Sequence, residues 1–268
     1  MVDVISALSQ GRVYDLGRPL EATTPTSPNH PPFRLALMRR HGDNVRADGS
    51  SGANEMFTMG GHTGTHIDAL CHVASNGKLH GEIDATEASR GGRFNQLGAE
   101  TIKPLIGRGV VLDLARATGA ETLDAGRRIT AADLELTARV QGSEIRADDT
   151  VLIRTGWPVA RYDDNAAYAG WETGVPGPDE SAAKWLSSRN IVATGSDTLA
   201  YEWLAPGTGH SLLPVHVHLL YERGIHIIEV LDLEELARAR IHEFLFLAVP
   251  LKLVGATGSP VRPIAVAT

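Results

Sequence analysis

The chain has 268 residues, 43% of them hydrophobic, with 25 Lys and Arg against 32 Asp and Glu for a formal net charge of −7. That length can bury a large core, read here as one domain over residues 1–268. The acidic balance excludes the basic footprint of a nucleic-acid binder, and no apolar run is long enough to span a membrane. One cysteine, Cys71, excludes a disulfide framework. With an N-terminus that lacks a basic-then-apolar leader, it predicts a cytoplasmic, reducing setting.

Val13–Leu16 reads as a short strand. The run from Thr24 to Phe33 holds four prolines and cannot be helical. It is either a surface linker or an extended arm over a pocket. A strand is expected from Phe33 to Arg40, a polar loop from Gly42 to Asn54, and then Met56–Met59 leading into the most informative stretch.

That stretch runs from Gly60 to His72 and places His62, His66, Asp68 and His72 within eleven residues. Residues four apart share a helix face, so His62/His66 or Asp68/His72 could each point one way. Gly60, Gly61 and Gly64 suit a turn leading into a helix near Thr65. Two imidazoles and one carboxylate suit Zn, Mn or Fe and leave positions open for water and substrate. His62, His66 and Asp68 are the expected ligands. A divalent ion so held can lower the pKa of water from about 15.7 to about 7, and His72, just beyond Asp68, is placed to move protons. One or two of these histidines could instead be ordinary core or solvated residues, but four such groups in a Gly- and Thr-rich setting favour a metal.

Downstream, Asn76-Gly77 signals a turn, and His80 reads as a surface histidine. Val110–Leu114 is a buried strand. Thr130, with Asp133 three residues on, caps a helix reaching about Val140. Asp149–Trp157 is a strand and polar loop, Pro176–Asp179 introduces a helix through Leu186, and Ile191–Gly195 is a strand. This succession predicts an α/β domain. Asp197 could touch the site or cap the next turn, and the cap is the expected role.

Pro214 suits a first helical turn and Gly224 a helix end. Strand alternation after Gly224 puts Ile225, Ile227 and Glu229 on one face, where a buried carboxylate needs a partner, either a metal or an arginine. Leu231–Ala237 reads as a short helix and Phe244–Leu251 as a strand. Gly255–Pro263 reads as a rigid loop carrying Arg262.

His62-Thr63-Gly64-Thr65-His66-Ile67-Asp68 followed by His72 resembles the H-x-G-T-H-x-D-x-P-x-H signature of the cyclase-like metal hydrolases, which include kynurenine formamidase and isatin hydrolase. Ile227-Ile228-Glu229-Val230-Leu231 and Gly258-Ser259-Pro260-Val261-Arg262-Pro263 resemble two further segments of that family. The resemblance implies a compact β/β/α, swivelling-type fold and hydrolysis of amide C–N bonds in small linear or cyclic amides, with Mn or Zn. It also implies a small-molecule substrate and a homodimer or homotetramer. By the same resemblance, His216 and Glu229 complete the site or hold a second ion, with His218 two residues away as the competing choice, and Phe33 in the early loop faces substrate. Leu70 stands where the formamidase pattern has Pro, which places the chain nearer the isatin-hydrolase-like branch. The rival readings are a non-haem iron oxygenase, which usually draws one ligand from a distant strand, and a non-catalytic metal protein. The latter normally closes its zinc with four ligands including cysteines.

Overall fold

Short runs of branched aliphatic residues, each too short for a helix, assemble into one nine-stranded mixed sheet. The computed structural model describes residues 10–267. The strands are β1 (Arg12–Asp15), β2 (His66–Asp68), β3 (Leu105–Asp113), β4 (Thr150–Arg154), β5 (Ala193–Ser196), β6 (His226–Glu229), β7 (Glu243–Ala248), β8 (Gly258–Pro260) and β9 (Ile264–Ala267). Their spatial order is β1-β9-β7-β3-β4-β5-β6-β2-β8. The four central strands β3 to β6 are mutually parallel, and every other pairing is antiparallel.

Parallel neighbours need crossover connections, and each here carries a helix. Helix α1 (Ala131–Gln141) joins β3 to β4, and α2 (Glu180–Ser187) joins β4 to β5. Between β5 and β6, α3 (Pro214–His216) continues as a π-helical segment, Val217–Glu222. The expected capping signals are realised. Thr130 and Asp133 form a reciprocal capping box, and the Asp179 side chain accepts from Ser181 N and Ala182 N. Strand alternation then sorts the core. Val110, Leu112, Val151, Ile153 and Ile227 pack under the helices with Leu134, Leu186 and Leu219. Val111, Leu152 and Ile228 face the opposite way, with Ile67, Phe244 and Phe246.

Three expectations are corrected. No helix starts near Thr65: residues 66–68 are strand β2, held between β6 and β8. Ladder hydrogen bonds on both sides override the helical spacing of the histidines. Second, the Gly- and Pro-rich tail is not merely a loop, because Gly258–Pro260 closes one edge of the sheet against β2. Third, Asp197 does not cap its own turn. It is fully buried and accepts hydrogen bonds from Thr155 N, Thr155 Oγ1 and Gly156 N, tying the end of β4 to the end of β5.

Outside the sheet, Arg34–Arg39 and Asn54–Thr58 form an antiparallel hairpin whose residues are all exposed.

Candidate metal centre

Side chains two apart on a strand share a face, so His66 and Asp68 of β2 project together. Glu229, the last residue of β6, is the register partner of His66 and joins them. His62 enters from the preceding turn, where Gly64 at φ +66 is required, since a Cβ there would lie 2.4 Å from Leu20 Cδ2. His72 enters from the turn after β2, closed by a His72 N to Ala69 O bond of 2.9 Å. His216, the last residue of α3, comes down from the helical side. All of these except His72 are buried.

Asp68 is the centre of the arrangement. His62, Asp68 and His72 present ligand atoms within 4.8 Å of one another, and so do Asp68, His216 and Glu229. His62 Nδ1–H donates to Asp68 Oδ1 at 2.8 Å, and its Nε2 accepts from Thr257 Oγ1 at 2.9 Å. His66 commits its Nδ1–H to the Gly64 carbonyl at 2.8 Å. That leaves His66 Nε2 facing Glu229 Oε2 at 3.2 Å and Asp68 Oδ1 at 3.6 Å. His216 gives its Nδ1–H to Glu202 Oε1 at 2.7 Å, and its Nε2 faces Glu229 Oε1 at 3.2 Å and Asp68 Oδ2 at 3.8 Å.

Two imidazole Nε2 atoms thus face two carboxylates, which requires positive charge between them, either protons on the rings or a cation. His66 Nε2 and Asp68 Oδ2 are buried without a hydrogen-bond partner. A divalent cation meets both needs, and the nitrogen and oxygen donor set suits Mn or Zn. The alternative source of charge is protons. Burial disfavours charging His66 and His216, but the closeness of Glu229 to both, and the bond of His216 to Glu202, raise both pKa values above the ordinary range. Burial likewise works against the Glu229 anion, yet His216 and His66 hold its carboxyl well below the usual range. His72 differs: burial pushes its imidazole down to about 3, despite the attraction of Asp68.

A cavity of about 40 Å³ opens beside the cluster, lined further by Ser27, His30, Leu199, Ala200, His210 and Leu213. That is room for about one water rather than a substrate. A larger groove of about 690 Å³ along Arg18, Leu20, Leu247 and Leu251 carries none of the six clustered side chains.

All six residues singled out as ligand, proton-transfer or second-ion candidates therefore converge. Phe33 does not: its ring stacks on Phe57 with centroids 6.1 Å apart, and the early loop reaches the cavity through Ser27 and His30 instead. The His30 and His62 rings are 5.0 Å apart. Between the two competing histidines, His216 faces the cluster, whereas His218 bonds Ser187 Oγ and Glu222. His226 is not a free surface group, because its Nδ1–H donates to the Asp68 carbonyl at 2.8 Å and braces β2. His80 is half-buried, donating to the Tyr221 carbonyl, and the Arg262 side chain is taken up by Asp15. The sequence reading missed Glu202, Thr257, His30 and His210. Only tertiary contact brings them to the site; Thr257 lies in the Gly255–Pro263 segment that resembles the family, and the other three lie in no spaced motif.

The fold and site define the class: an α/β protein with a buried histidine–carboxylate cluster on adjoining strands. The model of the "Putative cyclase" family matches residues 14–203, most of the chain, and the protein belongs to this cyclase family. Among curated relatives, isatin hydrolase of Roseibium aggregatum is 28% identical over 223 residues, covering 82% of this chain and 76% of its own. Kynurenine formamidase of Bordetella avium is 27% identical over 256 residues, covering 94% and 97%. Among solved structures, a cyclase matches with a TM-score of 0.87 at 29% identity, covering 98% of this chain and 92% of that one. An isatin hydrolase bound to the product analogue thioisatinate matches at 0.74 and 26% identity, covering 98% and 95%.

Proposed function

We propose that this chain is a metal-dependent hydrolase that cleaves the C–N bond of a small linear or cyclic amide. The observation that carries the reading is the pair of His66 and His216 Nε2 atoms aimed at Asp68 and Glu229, with Asp68 Oδ2 left unpartnered. Membership of the cyclase family and relatives named isatin hydrolase and kynurenine formamidase give the reaction class. Leu70, in place of the formamidase proline, inclines the substrate towards isatin-like lactams.

His62, His66 and Asp68 would hold a first ion, His62 giving up its bond to Asp68 or to Thr257 to do so, and Asp68, His216 and Glu229 could hold a second. A Mn or Zn ion there supplies Lewis acidity and water of lowered pKa. His72 would accept a proton from the attacking water and return it to the leaving nitrogen. His30 and His210 offer polar contacts to a substrate carbonyl, and Leu199, Ala200 and Leu213 flank its apolar body.

The exposed hairpin supports a homo-oligomer. A two-stranded ribbon is marginal alone in water, and this one exposes Leu35, Leu37, Met38, Met56 and Phe57, each over half accessible. Five such side chains amount to several hundred Å² per copy, the scale of a standard interface, so a second copy of the chain is the partner read here. The lone buried thiol of Cys71 accords with a reducing, cytoplasmic setting.

Elemental analysis of wild type beside His66→Ala, with turnover of aryl formamides and isatin-like lactams, tests the reading. One to two Mn or Zn per chain, lost with activity in the variant, is the expected result. No metal after reconstitution would overturn it.

A further inference from the structure

Glu202 lies on the connection between β5 and α3 and is 1% exposed. Buried carboxylates need compensation, yet no Lys or Arg side chain meets this one among the described residues. Its three donors all come from α3. Oε1 accepts from His216 N at 3.0 Å and from His216 Nδ1 at 2.7 Å, and Oε2 accepts from Val215 N at 3.3 Å. One carboxylate oxygen therefore grips both the backbone and the ring of a single residue. With Nδ1 so engaged, the nitrogen of His216 that faces the cluster is Nε2, hydrogen-bonded to Glu229 Oε1 at 3.2 Å and 3.8 Å from Asp68 Oδ2.

We propose that Glu202 is the positioning residue of the metal centre: it fixes the His216 imidazole with Nδ1 protonated and Nε2 presented to Asp68 and Glu229. This rests on the metal-centre reading above. The physical logic has two parts. A neutral imidazole can ligate through either nitrogen, and the tautomer is set by whatever its other nitrogen donates to. The ring must also be held still, because His216 sits where α3 gives way to a π-helical segment rather than inside a regular helix. A carboxylate does both and increases the donor strength of Nε2. A role confined to holding the start of α3 would need only the two backbone bonds, which leaves the 2.7 Å ring contact unexplained.

Glu202→Gln keeps the size of the side chain and an acceptor at Oε1 but removes the charge. The affinity of the purified apoprotein for Mn²⁺ and for Zn²⁺, each added alone and measured against a competing chelator, is expected to fall by about 10–100-fold in this variant. Its metal-free melting temperature should stay close to wild type, and Glu202→Asp should recover part of the loss. Wild-type affinity in Glu202→Gln would overturn the proposal. A second measurement does not depend on the variant folding or on any metal. Nitrogen NMR of histidine-labelled, metal-free wild type, with the His216 signals assigned from their absence in His216→Gln, should show a proton on Nδ1. A bare Nδ1 would overturn the proposal. A wild type that binds neither ion would overturn the metal centre itself, and the Nδ1 measurement would still decide the orientation of His216.

Discussion

The imidazoles of His62 and His72 stack with ring centroids 4.0 Å apart and planes inclined by 30°. Both approach Asp68, whose carboxyl burial alone would raise but which His72 and His62 draw down to about 2. His62 bonds Asp68 directly, whereas no hydrogen bond joins His72 to it. His72 is therefore the member of this trio free to exchange a proton. His72→Ala should lower kcat by about 10²–10⁴-fold with metal content unchanged. Joint loss of metal and activity would instead make His72 a ligand.

Gly258 is fixed by the His62 ring. A Cβ there would stand 2.6 Å from His62 Cε1, and on the facing turn a Cβ at Gly61 would stand 2.9 Å from the Gly258 carbonyl oxygen. Gly258→Ala should displace the His62 ring from Asp68 and Thr257 while leaving the two cores intact. A misplacement of about 1 Å at a reacting centre can cost about 10²-fold, so kcat/KM is expected to fall by that order, with a melting temperature close to wild type. Unchanged kinetics would mean that His62 tolerates the shift.

The early loop gives the metal-free protein an acid-sensitive limb. Burial, and then the nearby His62 and His66, push the half-buried His30 imidazole down to about 4 from the ordinary 6.5. A base whose folded pKa is depressed contributes stability that is complete above pH 6.5 and is lost as pH falls towards 4. His30→Gln should therefore remove up to one proton of slope from the stability profile in that window. The check is denaturant unfolding of both proteins at a series of pH values, and parallel profiles would refute the assignment.

Cys71 is 2% exposed, and burial pushes its thiol up to about 12. Because only the thiolate is nucleophilic, the native protein at pH 8 should react with a colorimetric disulfide reagent at least ~100-fold more slowly than the urea-unfolded chain. Equal rates would show that the loop between β2 and the Ser75–Lys78 turn opens freely.

The hairpin prediction is read by mass rather than activity. Leu37→Glu with Phe57→Glu places charges on the ribbon without touching either core. Light scattering after gel filtration should show the assembly dissociating to single chains, with far-ultraviolet circular dichroism preserved. An unchanged mass would mean that the copies associate through another face.

The sequence by itself determined the strands and helices whose signals are local. Thr130 with Asp133 and Asp179 ahead of α2 each fix a helix start by satisfying backbone N–H groups locally, and Pro214 suits the start of α3 because it has no N–H to satisfy. It also determined which side chains could form a metal centre, since four of the six cluster residues lie within Gly60–His72. Only the tertiary structure decided how they meet. The interval of four between His62 and His66 suggested a helix, but ladder bonds from β6 and β8 hold residues 66–68 extended, so His66 and Asp68 share a face by strand alternation. His216 prevails over His218 because of the direction α3 takes, and Glu202, Thr257 and His30 arrive from segments with no common spacing. Local hydrogen bonding and alternation are encoded over a few residues, whereas the meeting of residues 30, 62, 202, 216 and 257 is set by sheet order, which no short stretch of sequence contains.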